Sequence, residues 1–162
     1  MDEIRRTEQA KWLFERTLGW IATADAKVGV AMTLDTAMLG GLATAYSTSN
    51  PATRTQWCYL ALTAAILALA AAALCAAMAA IPRMLGPVKS MVFFARIAER
   101  SERDYVDQFV KLTSAGFLED LATQIHRNAQ IATSKHWWVR KSLVWSFAGG
   151  VPWFVAVVML VR

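Results

Sequence analysis

The feature that most constrains this chain is an uncharged stretch of 25 residues, 57–81. A helix of that length, rising 1.5 Å per residue, more than covers a hydrocarbon core roughly 30 Å thick. Two further stretches of 19 residues, 28–46 and 143–161, are nearly as apolar, and the only charge in them is Asp35. Hydrophobic residues make up 56% of the 162 positions, more than is usual in a soluble domain. The sequence therefore predicts an all-α membrane protein with three transmembrane helices.

Turn residues and helical patterns divide the remainder of the chain. We expect a cytoplasmic amphipathic helix over 1–27, a first span over 28–46, an outer loop over 47–56, a second span over 57–81, a cytoplasmic helical sensor region over 82–142 and a third span over 143–161. Asn50-Pro51 marks the outer turn, and Pro82 ends the second span, because proline cannot continue a helix there.

Two helices are expected in the 82–142 region. The first begins near Val88 and restarts at Ser101, which precedes Asp104 at the spacing of a helix cap. The second begins after Gly116 and meets no helix-breaking residue before the third span. We therefore expect it to continue into that span, just as the 3–27 helix is expected to run into the first span.

The distribution of the 17 Lys and Arg residues predicts the orientation. Five lie in 1–27 and ten in 82–142, whereas the outer loop carries only Arg54 and the C-terminus only Arg162. Cations beside spans are retained on the cytoplasmic side, so the N-terminus is expected inside and the C-terminus outside. Topology and anionic lipid also account for the net charge of +5, and we expect no nucleic-acid partner.

Asp35 near the middle of the first span has two interpretations. A charged side chain there costs about 2.5–3.5 kcal/mol on insertion scales, so it should face protein or water and not lipid. It either lines a pore or gate, or it is a buried hydrogen-bonding residue with Thr33 or Thr36 as its partner. The cost alone does not distinguish these.

The second and third spans carry small residues that affect helix packing. Gly149, Gly150 and Pro152 predict a kink in the third span, either as a moving hinge or as a fixed packing feature. In the second span the alanines at every fourth position, Ala64, Ala68, Ala72, Ala76 and Ala80, predict a smooth ridge for close helix packing. An alanine-rich composition alone also produces such a ridge.

The cytoplasmic segments carry the components of a nucleotide pocket. Cations suit a phosphate, amides a base edge and aromatic rings a stacked base, and the candidates are Lys27, Arg96, Arg100, Arg127, Gln124, Asn128, Phe93 and Phe94. The same residue types are common on solvated helix surfaces. His126 and His136 have no partner at metal-binding spacing, and nucleophile motifs and phosphate loops are absent. We therefore expect no metal, no cofactor and no catalysis.

Two parts of the chain resemble one known family. The segment Trp20-Ile21-Ala22-Thr23-Ala24-Asp25-Ala26-Lys27 resembles the "ADxKA" signature of the Pycsar transmembrane effectors, with Val28 where the family often has alanine. Residues 93–97, 104–105, 119–121 and 124–132, with Lys135, are similar to the cytoplasmic segment of that family. The resemblance covers most of the chain in the same order.

The resemblance implies an antiphage effector of the bacterial inner membrane. It implies a partner cyclase that makes cUMP or cCMP on infection, and an effector that responds by impairing the membrane so that infection aborts. The ligand-binding residues expected on this basis are Asp25, Lys27, Phe94, Arg96, Gln124, Arg127 and Asn128. Because three spans with one acidic residue are too few to enclose an aqueous path, we expect a homo-oligomer.

Three other functions stay open at the level of sequence. The first is a membrane effector that answers a different cyclic nucleotide. The second is a constitutive anchor or scaffold that recruits a soluble partner through residues 82–142. The third is a holin-like pore former that needs no ligand.

Overall fold

The computed structural model describes residues 3–83 and 86–162, and 86% of it is helical. The helices are α1 (Glu3–Thr48), α2 (Gln56–Ala80), α3 (Phe94–Ala98), α4 (Glu102–Val110) and α5 (Ser114–Val161), with a short 3-10 turn at Pro51–Thr53. No strand occurs among these residues. Helices α1, α2 and α5 are each long and apolar enough to cross a membrane. The predicted all-α membrane protein with three spans is confirmed.

The chain divides into two compact units. The polar unit consists of Met1–Thr23 and Pro82–Ser134, and the bundle unit consists of Ala24–Ile81 and Lys135–Arg162. Helices α1 and α5 contribute residues to both units, and neither helix is interrupted where the units divide. The predicted continuity of the last cytoplasmic helix with the third span is therefore confirmed.

The core of the bundle unit consists of layers to which α1, α2 and α5 all contribute. One layer contains Val28, Ala76, Ala79 and Val139. A second contains Leu42, Ala65, Leu69 and Ala156, and a third contains Ala45, Cys58 and Leu160. From layer to layer the residue numbers rise on α1 and α5 and fall on α2. Helices α1 and α5 are therefore parallel, and α2 is antiparallel to both.

The outward surface of the bundle unit is apolar. Large side chains on all three helices are exposed, among them Val30, Leu67, Leu74, Phe147 and Phe154. Such a surface is unfavourable in water, but it matches the hydrocarbon of a bilayer, in which the apolar face of a helix needs no protein partner.

The packed face of α2 is lined mainly by alanine, but not by all of the alanines of the predicted ridge. Ala68, Ala72 and Ala76 are buried as expected, but Ala64 and Ala80 are exposed. Their places are taken by Ala65 and Ala79. Because a helix has 3.6 residues per turn, a row of every fourth residue drifts around the helix by about 40° per step, and five such positions cannot all face one side.

Arg54 closes the connection between α1 and α2. Its Nη2 donates to the carbonyls of Tyr46 (2.8 Å) and Ser49 (3.0 Å), and its guanidinium lies 4.0 Å from the centroid of the Tyr46 ring. These contacts place a cation at the C-terminal end of α1, where carbonyl groups lack helical partners. Asn50 caps the following 3-10 turn, so a turn at Asn50-Pro51 is confirmed.

The helices of the polar unit begin at positions that differ in part from the predicted ones. The first begins at Phe94 and not near Val88, because residues 88–93 form a hydrogen-bonded turn. The restart at Ser101 is confirmed, since its hydroxyl accepts a hydrogen bond from the N–H of Asp104 at 3.1 Å. Helix α5 begins at Ser114, two residues before Gly116 and not after it.

Candidate functional site

Ser90 is the centre of the turn that precedes α3. Its hydroxyl accepts hydrogen bonds from the N–H groups of Val92 (3.1 Å) and Phe93 (3.0 Å) and from the side-chain amide of Gln124 (2.9 Å). Ser90 and Gln124 are each 2% exposed, and an unmade hydrogen bond is costly in such an environment. Gln124 is therefore used to hold this turn against α5.

Other side chains of the polar unit bind the backbone of the same turn. The N–H of Met91 donates to Asp120 Oδ2 at 2.6 Å, and the carbonyl of Met91 accepts a hydrogen bond from the Tyr105 hydroxyl at 3.1 Å. The carbonyl of Ser90 accepts from Arg100 Nη1 at 2.9 Å. The Ser90-Met91 backbone thus joins α4, α5 and the α3–α4 connection.

A cleft of about 360 Å³ lies beside this turn. Its polar lining consists of Lys89, Ser90, Glu119, Asp120 and Thr123. The volume lies at the lower end of the range of small-ligand sites. This lining has one cation, two carboxylates and two hydroxyls. It therefore suits a ligand with hydrogen-bond donors for the carboxylates and an acceptor for Lys89.

Two of the predicted ligand-binding residues lie on the short helix α3. Phe94 is 60% exposed, and its ring centroid is 5.0 Å from that of Phe93. Arg96 Nη1 contacts Glu99 Oε2 at 2.7 Å, while the buried Arg96 Nε has no hydrogen-bond partner. Helix α3 therefore presents an aromatic ring at its surface, and the partly exposed Arg96 guanidinium lies on the same helix.

Three more of the predicted residues, Gln124, Arg127 and Asn128, lie within two turns of α5. Asn128 is 8% exposed and lies one turn beyond Gln124. Arg127 is half-buried, and its Nη1 donates to Gln130 Oε1 at 3.1 Å. The amide of Gln124 is joined to Ser90, four residues before Phe94, so α5 is tied to the segment that leads into α3.

The other two predicted ligand-binding residues, Asp25 and Lys27, belong to the bundle unit. Lys27 is exposed. The Asp25 carboxylate accepts a hydrogen bond from Nζ of Lys135, on α5, at 2.5 Å. The Lys135 side chain is 7% exposed and that of Asp25 is 48% exposed. The structure therefore gives Asp25 an ionic partner within its own unit.

Asp35 lies in the interior of the bundle unit. It is 1% exposed, in accordance with the cost of placing its charge in lipid. Neither carboxylate oxygen has a hydrogen-bond partner. The Thr33 hydroxyl, one of the partners considered from the sequence, instead donates to the carbonyl of Gly29 at 2.9 Å. The carboxylate is thus buried without the satisfaction that a purely structural role would require.

The small residues of the third span lie where α5 packs closely. A Cβ atom on Gly149 would be 3.1 Å from the Cβ of Ala68, whereas one on Gly150 would meet nothing within 4 Å. Pro152 lies inside α5, which continues to Val161. These contacts favour fixed packing over a moving hinge at Gly149.

Several residues that organise the polar unit were not singled out by sequence reasoning. Ser90 has no periodic pattern around it, although serine often binds N–H groups two and three residues ahead. Asp120 and Tyr105 lie within the segments that resemble the Pycsar effectors, but their shared partner, Met91, is distant in sequence. Only the folded chain shows that these side chains meet.

The described residues form no metal-binding cluster. Across residues 3–83 and 86–162, no three His, Cys, Asp or Glu side chains come together as metal ligands would. Cys58 and Cys75 are free, buried thiols.

The family comparison covers nearly the whole chain. Residues 9–162 match the family model PycTM, the Pycsar effector protein domain. The match includes both the polar unit and the bundle unit. Comparison with curated proteins and with solved structures gives no match.

Proposed function

Since the chain belongs to the Pycsar effector family, whose members are antiphage effectors of cyclic-nucleotide signalling, we propose that it senses cUMP or cCMP and impairs the inner membrane. The family implies a cyclic-nucleotide signal from a partner cyclase. Loss of membrane integrity in the infected cell then aborts the infection. The family is one of effectors and is not a known catalytic family, and the proposed activity requires no chemical step.

The observation that carries this proposal is that one chain contains both a membrane part and a polar part joined by unbroken helices. Helix α1 is continuous over 46 residues and α5 over 48. A change of packing in the polar unit therefore acts on two helices that also form the bundle unit. A ligand shifts such an equilibrium only by binding one packing more tightly than the other.

The polar unit is the proposed ligand-binding part. A cyclic pyrimidine mononucleotide carries one negative charge and a flat base. Arg96 and Arg127 are proposed to meet the phosphate, and the exposed ring of Phe94 to stack on the base. Gln124 holds the turn before α3 through Ser90, and Asn128 is proposed to contribute its amide. The cleft beside Ser90 lies in the same unit but is lined by Glu119 and Asp120 and by none of these proposed contacts, so the proposal does not place the phosphate there.

We further infer that the polar unit is cytoplasmic and that the chain resides in the bacterial inner membrane. The inference rests on the excess of Lys and Arg in 1–27 and 82–142 over the outer loop. Trp137 places this end of the third span at a membrane interface, because its ring lies 3.7 Å from Nζ of Lys141, and the side of the membrane follows from the Lys and Arg excess alone.

The test is leakage from liposomes that contain the purified full-length protein. We expect cUMP or cCMP to release entrapped K⁺, and cAMP and cGMP to release much less. Vesicles without protein, treated with the same nucleotides, are the control. Equal release with and without both pyrimidine nucleotides would contradict the proposed function.

The competing functions give different results in the same assay. An effector of another signal leaks only with a different cyclic nucleotide from a panel that includes cyclic dinucleotides. A scaffold binds no nucleotide and does not leak. A pore former that needs no ligand leaks without any nucleotide.

A further inference from the structure

The contact between α1 and α5 in the bundle unit has a distinctive order of polar groups. At one end Asp25 pairs with Lys135, and at the other the indole N–H of Trp153 donates to the carbonyl of Met38 at 2.7 Å. Between these two bonds along α1 lies Asp35, whose carboxylate has no partner. We call this contact, residues 25–38 of α1 with 135–153 of α5, the seam.

The ion pair at the first end of the seam is asymmetric. Lys135 is 5% exposed, so its ammonium group depends on a partner to compensate for lost hydration. The Asp25 side chain is about half exposed, and its carboxylate can be hydrated if the pair separates. Lys135 is also the first residue of α5 in the bundle unit, and Asp25 is the second of α1. A bend in α1 or α5 at the point where the two units divide therefore affects this ion pair before it affects the rest of the seam.

Four of the buried polar side chains of the bundle unit, Asp35, Lys135, Ser142 and Ser146, lie along the seam, and the fifth, Ser49, follows the end of α1. Ser142 and Ser146, on α5, are 1% and 3% exposed, and the Ser142 hydroxyl has no partner. Val28 and Val139 pack in one layer, and seven residues beyond each of them lie Asp35 and Ser146. Apart from two thiols, the buried residues of α2 are alanine and leucine.

This placement conflicts with a pore that forms only between subunits. Such a pore would be lined by outward-facing residues, whereas Asp35 faces the interior of its own bundle. Ionisable residues inside membrane proteins mark ion pathways, and acidic side chains select cations. The buried polar groups that could contribute to a water-filled path, Asp35, Ser142 and Ser146, therefore lie within one chain, even where further subunits complete that path.

We propose that activation opens the seam: Asp25 separates from Lys135, and Asp35 becomes exposed to a water-filled path that prefers monovalent cations. This inference rests on the proposed function and specifies its mechanism. The ion pair holds the seam closed, and the unpartnered carboxylate acquires water and cations as partners once it opens.

A reversible crosslink tests whether the seam must open. Val28→Cys and Val139→Cys are combined in a chain whose Cys58 and Cys75 are replaced by alanine. In vesicles of phosphatidylethanolamine and phosphatidylglycerol, we expect the oxidised protein to release no K⁺ with cUMP or cCMP and the reduced protein to release it. Unchanged release from protein that mass spectrometry shows to be crosslinked would overturn the proposal.

Charge variants test the ion pair without a crosslink. Asp25→Asn and Lys135→Met are each expected to raise leakage in the absence of nucleotide by at least about ten-fold, and exchange of the two charges is expected to restore low leakage. Arg140→Met, which removes an exposed cation of α5, is the control and should leave leakage unchanged. Nucleotide-free leakage equal to wild type in both single variants, with helicity intact, would overturn the role of the pair.

Ion selectivity tests Asp35 separately. We expect the wild-type path to release K⁺ in preference to Cl⁻, and Asp35→Asn to leak with nucleotide while losing that preference. The same K⁺ preference in the variant would overturn the role of Asp35. If the wild-type protein does not leak with either pyrimidine nucleotide, the proposed function itself fails. If it leaks although the seam is crosslinked, only the present inference fails.

Discussion

The side chains proposed to meet the nucleotide divide into those that the fold already uses and those that it leaves available. Gln124 is buried and bonded to Ser90, so its loss would disturb the turn before α3. Phe94 is mostly exposed, and Arg96 is held only by Glu99 one turn away. The second group is therefore the informative one to change, because its members contribute little to folding.

We expect Phe94→Ala and Arg96→Ala each to weaken binding of cUMP or cCMP by about 5- to 150-fold. The range follows from the roughly 1–3 kcal/mol that base stacking on an aromatic ring contributes, and a charge-assisted contact to phosphate is of similar size. Calorimetry of the detergent-solubilised protein measures the affinity. Arg103→Ala, at an exposed position of α4, is the matched control. Wild-type affinity in both variants would place the ligand elsewhere.

Single residues show what sequence reasoning could and could not reach. The inward position of Asp35 followed from the cost of a charge in lipid. The pairing of Asp25 with Lys135 did not, because the two residues are 110 positions apart and nothing local specifies their contact. The Ser90 turn was missed for the same reason, since Asp120 and Gln124 reach it from a distant helix.

At the scale of elements, the long helices could be predicted from their uninterrupted apolar patterns. The start of a short helix could not, because a side chain there competes with the backbone for hydrogen bonds. Helices α1 and α5 follow from apolar runs with no helix breaker between them. The start of α3 was wrong because the Ser90 hydroxyl takes two N–H groups that a helix beginning at Val88 would use. Serine in this position competes with helical bonding, and the outcome depends on the Gln124 amide.

The adjacent glycines Gly149 and Gly150 of α5 differ in their surroundings, and this difference can be tested. Gly149→Leu is expected to destabilise the protein by about 1–3 kcal/mol, because its side chain would enter the contact of α5 with Ala68. A Cβ atom at Gly150 would meet nothing within 4 Å, so Gly150→Leu is expected to be neutral or to stabilise α5 by up to about 1 kcal/mol. Thermal unfolding in one detergent compares the two. Equal melting temperatures would show that the close contact does not constrain position 149.

At the scale of the whole molecule, composition and charge led directly to the spans, but the partners within the bundle could not be read from the sequence. The three apolar segments can be recognised from their length and hydropathy alone. That Val28, Val139 and Ala76 share a layer depends on helix rotation, which an almost uniformly apolar sequence does not specify. The nucleotide signal came from the family resemblance and not from composition.

The orientation is open to a direct test. We expect a membrane-impermeant thiol reagent applied to spheroplasts to label Thr53→Cys in the outer loop at once, and to label Ala115→Cys only after lysis. Both positions are exposed in the structure, while the native thiols Cys58 and Cys75 are buried. The physical reason is the retention of the basic segments on the inner side. The reverse pattern would place the polar unit in the periplasm.

The alanine face of α2 determines how the bundle can rearrange without coming apart. An alanine has no rotamers to reorder, and Leu69 is the one large aliphatic side chain buried on this face. Either neighbour can turn on this face without forcing α2 to repack. In the proposed opening, the second span therefore stays packed against both parallel helices while α1 and α5 separate from each other.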